Sequence, residues 1–276
     1  MKISCEVRSF SHRCSKDCFE FFTKNSTNIQ FPEVNERGFV IEIDGASLKE
    51  IGSEDLYFHA HMLASSFLVA LNIATVGFFC WGVRPSFSPI YQVREQTADE
   101  AKFVALSSER KLDFETTRDL NQSDIERTIL IFGSLTHDKD SNSRKEYLKG
   151  LLHLGAAHLD VDFNREAFGN FYRCMESFVT QKILRASKLT NELKDIQRAL
   201  ESVGADKDLQ EEFKEVYVMR SSQVAHAQNQ QVKVSFDDAI KAKAFADIVM
   251  HRTYIRFAEA SRDAKHPMRP DTPADG

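Results

Sequence analysis

Apolar residues along this chain recur with two periods, one of two residues near the start and one of three to four residues further on. Ile3, Cys5 and Val7 alternate with polar neighbours, Asn35-Glu-Arg-Gly38 reads as a turn, and Phe39, Ile41 and Ile43 resume the alternation before Asp44-Gly45. Residues 90–95 and 102–107 are further short strand candidates. Between these strands, residues 62–83 run without a charge, a length that reaches across a bilayer. Ser65, Ser66, Asn72 and Thr75 lie inside that segment, His59 and His61 precede it, and Gly77 divides it. These features favour a buried helix over about 54–75 followed by a buried strand over 78–83, and a membrane span is the lesser reading.

From about Asp113 the period is helical. A helix is expected over about 123–135, ending before the polar stretch His137-Asp-Lys-Asp-Ser-Asn-Ser143. A second follows with Leu148, Leu151, Leu152, Gly155 and Leu159 on its apolar face. After a cap at Asn164, Phe168, Phe171, Tyr172, Met175, Val179 and Ile183 form a core-facing stripe. Leu189, Leu193, Ile196, Leu200 and Val203 mark the next helix, which stops with Gly204 at its C′ position. Asp208 and Glu211 resemble a capping box ahead of Leu209, Phe213, Val216 and Tyr217. The last helix starts near Ser235 and carries Phe236, Ile240, Ala244, Ile248 and Ile255. The fold class is therefore α+β. A mixed strand and helix region of unknown role occupies 1–112, an all-α bundle occupies 113–262, and the proline-rich polar tail 263–276 is expected to be disordered.

A chain of 276 residues can bury one large core or two modest ones. Its formal net charge of -5 offers no global attraction to nucleic acid, so such binding needs a local basic surface. The five cysteines are odd in number, and the opening MKISCEVRSF has no apolar leader, which together suggest a reduced, cytoplasmic protein. His12, Cys14 and Cys18 lie close together, but no second ligand pair follows, and neither a metal nor a cofactor is expected.

On a helical wheel Phe213, Tyr217, Arg220 and Val224 fall on one line, so Arg220 occupies the centre of an apolar stripe. A guanidinium stays charged, so this residue must meet a carboxylate, such as Glu176 or Asp247, or else line a cleft or face an anionic ligand. His226 lies about 120° around and about 9 Å along the axis, too far to touch Arg220 yet able to share its groove.

Phe171-Tyr-Arg-Cys-Met-Glu-Ser on one helix, a second helix ending at Gly204, and Glu215-Val-Tyr-Val-Met-Arg220-Ser-Ser-Gln-Val-Ala-His226-Ala on a third together resemble an HEPN domain of the Apea-like type. The likeness covers about residues 164–260. Those domains are four- or five-helix bundles marked by an arginine, four to six residues, and a histidine. Many are metal-independent endoribonucleases, and others are noncatalytic binding modules. The resemblance implies Arg220 and His226 as the catalytic pair, with Ser221 assisting at a position where many active members carry Asn, His or Asp. It also implies a homodimer with a composite site and a role in stress or anti-phage defence. A regulatory partner acting through the N-terminal region would complete that picture.

The chemistry suits these side chains. An imidazole can take the proton of an RNA 2′-hydroxyl or deliver one to the leaving 5′-oxygen, while an arginine fork stabilises the phosphorane. Lys182, Arg185, Lys188, Lys194 and Arg198 outnumber Glu192 and Asp195 locally and are candidates for tracking RNA phosphates, although a solvated face of mixed charge has the same composition. The alternative to catalysis is a dimerising or ligand-binding bundle in which Arg220 serves a structural ion pair.

Overall fold

The computed structural model describes residues 2–25, 29–44, 53–81, 91–97, 100–106, 118–137, 142–156, 162–224 and 233–265. Early in the chain lie β1 (Lys2–Ser9), β2 (His12–Arg13), α1 (Lys16–Asn25), β3 (Val34–Asn35) and β4 (Gly38–Asp44). Next come α2 (Ser53–Thr75), β5 (Phe79–Trp81), β6 (Tyr91–Thr97), β7 (Glu100–Leu106) and β8 (Arg118–Asp119). From there the described elements are helical: α3 (Gln122–His137), α4 (Asn142–Gly155), α5 (Asn164–Phe178), α6 (Glu192–Ser202), α7 (Lys207–Met219) and α8 (Phe236–Lys265). This is the α+β arrangement, with an antiparallel sheet near the N-terminus and a helical C-terminal part.

The sheet has the order β3-β4-β1-β5. In its register Ile3 faces Ile43, Cys5 faces Ile41 and Val7 faces Phe39, so the period-two residues of β1 and β4 share one side. Val7, Phe39, Ile41 and Ile43 are buried there. Phe19 and Phe22 of α1, Phe67 of α2 and Phe132 of α3 continue this face as an aromatic cluster, with Phe19 and Phe39 centred 4.5 Å apart and Phe22 and Phe67 4.8 Å apart. The helix α1, which the alternation did not announce, exists to supply those two phenylalanines.

The uncharged segment forms α2 and β5. Its window Phe58–Thr75 is long and apolar enough to cross a membrane by length and composition, and 72% of it is buried inside the protein. Its polar residues are satisfied internally. Asn72 Nδ2 donates to the carbonyls of Leu68 (2.8 Å) and Phe79 (2.9 Å), while Asn72 Oδ1 accepts from Phe79 N, pinning β5 to the helix. The helix ends at Val76, whose φ of 48° is strained for a β-branched residue. At Gly77 a Cβ would meet Thr75 Oγ1 at 2.5 Å and His12 Cε1 at 2.8 Å, so only glycine fits.

One continuous set of buried residues runs from Val7 to Tyr254 and crosses the position near Asp113 where the pattern turns helical. In the bundle the α5 stripe is buried as its spacing predicts, apart from a half-buried Ile183. Several local expectations are corrected. Leu152, expected on the core face of α4, is 53% exposed, and Leu159 lies outside the described residues. The cap of α5 is Phe163, with no side-chain bond, and Asn164 is already helical. The cap of α7 is Asp206, which accepts from Leu209 N at 2.9 Å, two residues before the expected start. Gly204, with a φ of 77°, follows α6 as expected. Ser235 and Asp238 cap α8 reciprocally, and that helix runs past Ala260 to Lys265, through the start of the segment expected to be disordered.

Candidate functional site

Arg220 stands where α7 gives way to a π-helical turn, Arg220–Val224. Another π turn, Val179–Ile183, follows α5. Wider turns of this kind rotate side chains away from the 100° spacing of an α-helix and recur at functional sites. The wheel that aligned Arg220 with Phe213 and Tyr217 therefore stops being valid at Met219. Phe213 is fully buried, whereas 31% of the Arg220 side chain is exposed.

Arg220 meets a carboxylate, but neither of the two anticipated. Its Nη1 lies 3.2 Å from Glu192 Oε2, and its guanidinium carbon sits 5.3 Å from the centre of the Tyr172 ring. The Tyr172 hydroxyl donates to Glu192 Oε1 at 2.8 Å, so one carboxylate ties arginine and phenol together. Burial, reinforced by Glu192, raises the Tyr172 pKa and keeps the phenol a donor. Glu176 is close enough to matter: burial first, then the Glu192 charge, raise its pKa, while Arg220 opposes them. Asp247 is committed elsewhere, to Lys243 and Tyr147.

Glu192 is the partner of Arg220 that sequence reasoning missed. It is the first residue of α6, after the Asn191 cap whose side chain accepts from Lys194 N. A position in a helix's first turn favours a carboxylate for electrostatic reasons alone, so nothing in the spacing marked it as a partner of Arg220. Ser221 has a buried Oγ without a hydrogen-bond partner among the described residues. His226 lies outside the described residues.

Of the expected basic surface, Arg185, Lys188, Lys194 and Arg198 are exposed and Lys182 is half-buried in the first π turn. Lys188 and Lys194 bracket Glu192 in the chain, and Lys194 and Arg198 share a face of α6. Arg198 is paired with Asp195 at 3.2 Å. Asp195 also accepts from the backbone N–H groups of Thr190 and Asn191, and those bonds lower its pKa.

His251 and Arg252 are not among the groups that touch Arg220. They line a separate groove of about 350 Å³ with Val76, Asp206, Leu209 and Ile248, at the Asp206 end of α7. That end lies about 18 Å along the helix from Arg220. Among the described residues no group of three or more His, Cys, Asp or Glu is placed to hold a metal ion. His12 faces Ser11 Oγ through Nδ1, and Cys18 Sγ donates to Leu120 O. All five cysteines are free thiols, and burial pushes Cys14 up to about 12.

Arg220, Glu192 and Tyr172 thus form a half-open cluster in which the guanidinium has its own internal counter-ion. A guanidinium so placed can take a phosphate oxygen if the carboxylate yields. No family model, no curated protein and no solved structure matches this chain.

Proposed function

We propose that the C-terminal bundle is a metal-independent endoribonuclease of HEPN type, with Arg220 and His226 as its reactive pair and Ser221 beside them. The observation that carries this reading is the half-open setting of Arg220. A cation at the end of α7 is neither sealed in the core nor extended into solvent, but held over an aromatic ring at a π turn. Exposed Arg185, Lys188 and Lys194 supply the local positive charge that an acidic chain needs in order to track RNA phosphates. In this reading His226 moves the proton of the 2′-hydroxyl and Arg220 stabilises the pentavalent phosphorus, leaving a 2′,3′-cyclic phosphate. Pairing of two copies, and control through residues 1–112, belong to the same proposal.

A second reading has its own support. The Arg220–Glu192 pair and the Tyr172 hydroxyl are what a noncatalytic interaction bundle would retain as a structural ion pair. One experiment separates the two: incubation of the protein with labelled single-stranded RNA in EDTA, beside Arg220→Ala and His226→Ala. The endoribonuclease reading expects cyclic-phosphate ends from wild type and loss of at least a hundredfold in rate in both folded variants. If Arg220→Ala unfolds the protein while His226→Ala changes nothing, the structural reading replaces it.

A further inference from the structure

The Arg220–Glu192 contact is weak by the standards of this same protein. Arg118 grips Asp124 through two nitrogens at 2.6 and 2.9 Å, and Arg127 adds a third bond at 2.7 Å to the same carboxylate, whose side chain is fully buried. Arg220 reaches Glu192 through one nitrogen at 3.2 Å, with 31% of one side chain and 21% of the other exposed. Short, forked guanidinium pairs are the strong ones, and long single contacts open to water contribute little.

Glu192 does not owe its position to Arg220. It is fixed by the α6 N-terminus and by the Tyr172 hydroxyl, which occupies the other carboxylate oxygen. At rest, therefore, the arginine that a polyanion would need faces a carboxylate, while Lys188 and Lys194 stand exposed on either side of Glu192 in the chain.

We propose that Glu192 is a displaceable counter-ion, masking Arg220 in the resting protein and yielding it to an RNA phosphate. This deepens the endoribonuclease reading and rests on it for the identity of the incoming anion. A phosphate offers a guanidinium two coplanar oxygens and more charge than one carboxylate oxygen at 3.2 Å. The exposed lysines on either side of Glu192 in the chain add local positive charge that attracts a polyanion. Glu192 is then a gate on affinity, and its removal strengthens binding.

The test measures the mask and the RNA separately. Arg220 is labelled with phenylglyoxal in wild type, Glu192→Gln and Tyr172→Phe, and its modification is read by peptide mass spectrometry against exposed Arg185 as internal reference. Affinity for a fluorescein-labelled oligouridylate in EDTA is measured on the same samples. In Glu192→Gln, Arg220 labelling rises about fivefold and the RNA Kd falls by a similar factor, the scale of one partly exposed ion pair. Tyr172→Phe, which only loosens Glu192, shifts both in the same direction by less, and it carries the test if Glu192→Gln does not fold. Unchanged Arg220 labelling in the folded variants overturns the inference. So does increased labelling with weaker RNA binding, which would make Glu192 a positioning residue. If labelling rises while no protein, wild type included, binds RNA, the counter-ion assignment stands and the endoribonuclease reading is the one that falls.

Discussion

Lys243, Asp247 and Tyr147 in one part of the bundle, and Arg220, Glu192 and Tyr172 in another, are the same three kinds of group set at different depths. In each trio the cation lies over the aromatic ring, at 5.6 Å for Lys243 and 5.3 Å for Arg220, and the tyrosine hydroxyl donates to the carboxylate that pairs with the cation. Lys243 and Asp247 have 3% and 0% of their side chains exposed, against 31% and 21% for Arg220 and Glu192. Lys243 also donates to Gly77 O, so the sealed trio fastens the α2–β5 turn to α8 and joins the strand region to the helices. Depth therefore decides the role. A sealed pair cannot exchange its partner without exposing a charge to a dry core, whereas a half-open one can trade its carboxylate for another anion.

The largest effect is expected from breaking the sealed trio. Burial raises Asp247 to about 6 and lowers Lys243, so both charges are held at a cost offset by their mutual contact and by the bonds to Tyr147 and Gly77 O. Asp247→Ala leaves the lysine with Gly77 O and no counter-charge, and is expected to cost about 3–5 kcal/mol in urea denaturation. Lys243→Met combined with Asp247→Leu removes both charges and should recover most of that loss, because a filled apolar site does not need a charge pair. A loss below about 1 kcal/mol in the single variant would mean that water reaches this site and that the contrast of depth is wrong.

The two trios also differ in how far the sequence announced them. Alternation at Ile3, Cys5, Val7 and at Phe39, Ile41, Ile43, and the i, i+3, i+4 stripe of α5, were legible because burial of a face imposes a period on the residues that form it. The apolar segment read as a buried helix and strand because Asn72 and Thr75 have no place among lipids yet serve well as internal hydrogen-bonding groups. Arg220 was legible as an anomaly, a cation in an apolar line. Its partner was not, because Glu192 and Tyr172 meet it from two other helices, and a wheel describes one helix at a time. The π turn hid the geometry further, since nothing in Arg220-Ser-Ser-Gln-Val224 marks a change of pitch. Lys243 and Asp247 fit the ordinary i, i+4 pattern of a solvated face, which left their burial unannounced.

A smaller effect is expected from pH, and it too belongs to the sealed side. His12 is 5% exposed, stacks on Phe79 at 5.3 Å and has no partner at Nε2 among the described residues. Burial first, then Arg118, lower its pKa from 6.5 to about 4, with Lys243 adding to the shift and Asp124 opposing it. The native chain then binds fewer protons at this ring than the unfolded chain does between pH 6.5 and 4. Its contribution is fully present above pH 6.5 and is lost as pH falls from there to 4, about 3 kcal/mol over that window. Thermal melts from pH 7 down to pH 4 should show a decline that is shallower in His12→Gln than in wild type. Parallel curves for the two proteins would show that water or a proton-accepting group reaches the ring.

The smallest stability effect is expected at the open trio, and it sharpens the contrast most. Arg220→Ala removes a cation whose pairing is single, long and partly exposed, and the Glu192 carboxylate left behind can be hydrated where it stands. The loss in urea denaturation should be about 1 kcal/mol or less, and a cycle with Glu192→Ala should give a coupling of about 0.5 kcal/mol. Loss of stacking on Tyr172 is included in that figure, since the aliphatic stem of arginine also covers the ring. A coupling approaching 3 kcal/mol would make Arg220 a second sealed cation, with no guanidinium to spare for a phosphate. A small coupling together with a large loss of RNA cleavage would separate the two trios by function as well as by depth: the residue that hardly holds the fold would be the one on which the chemistry depends.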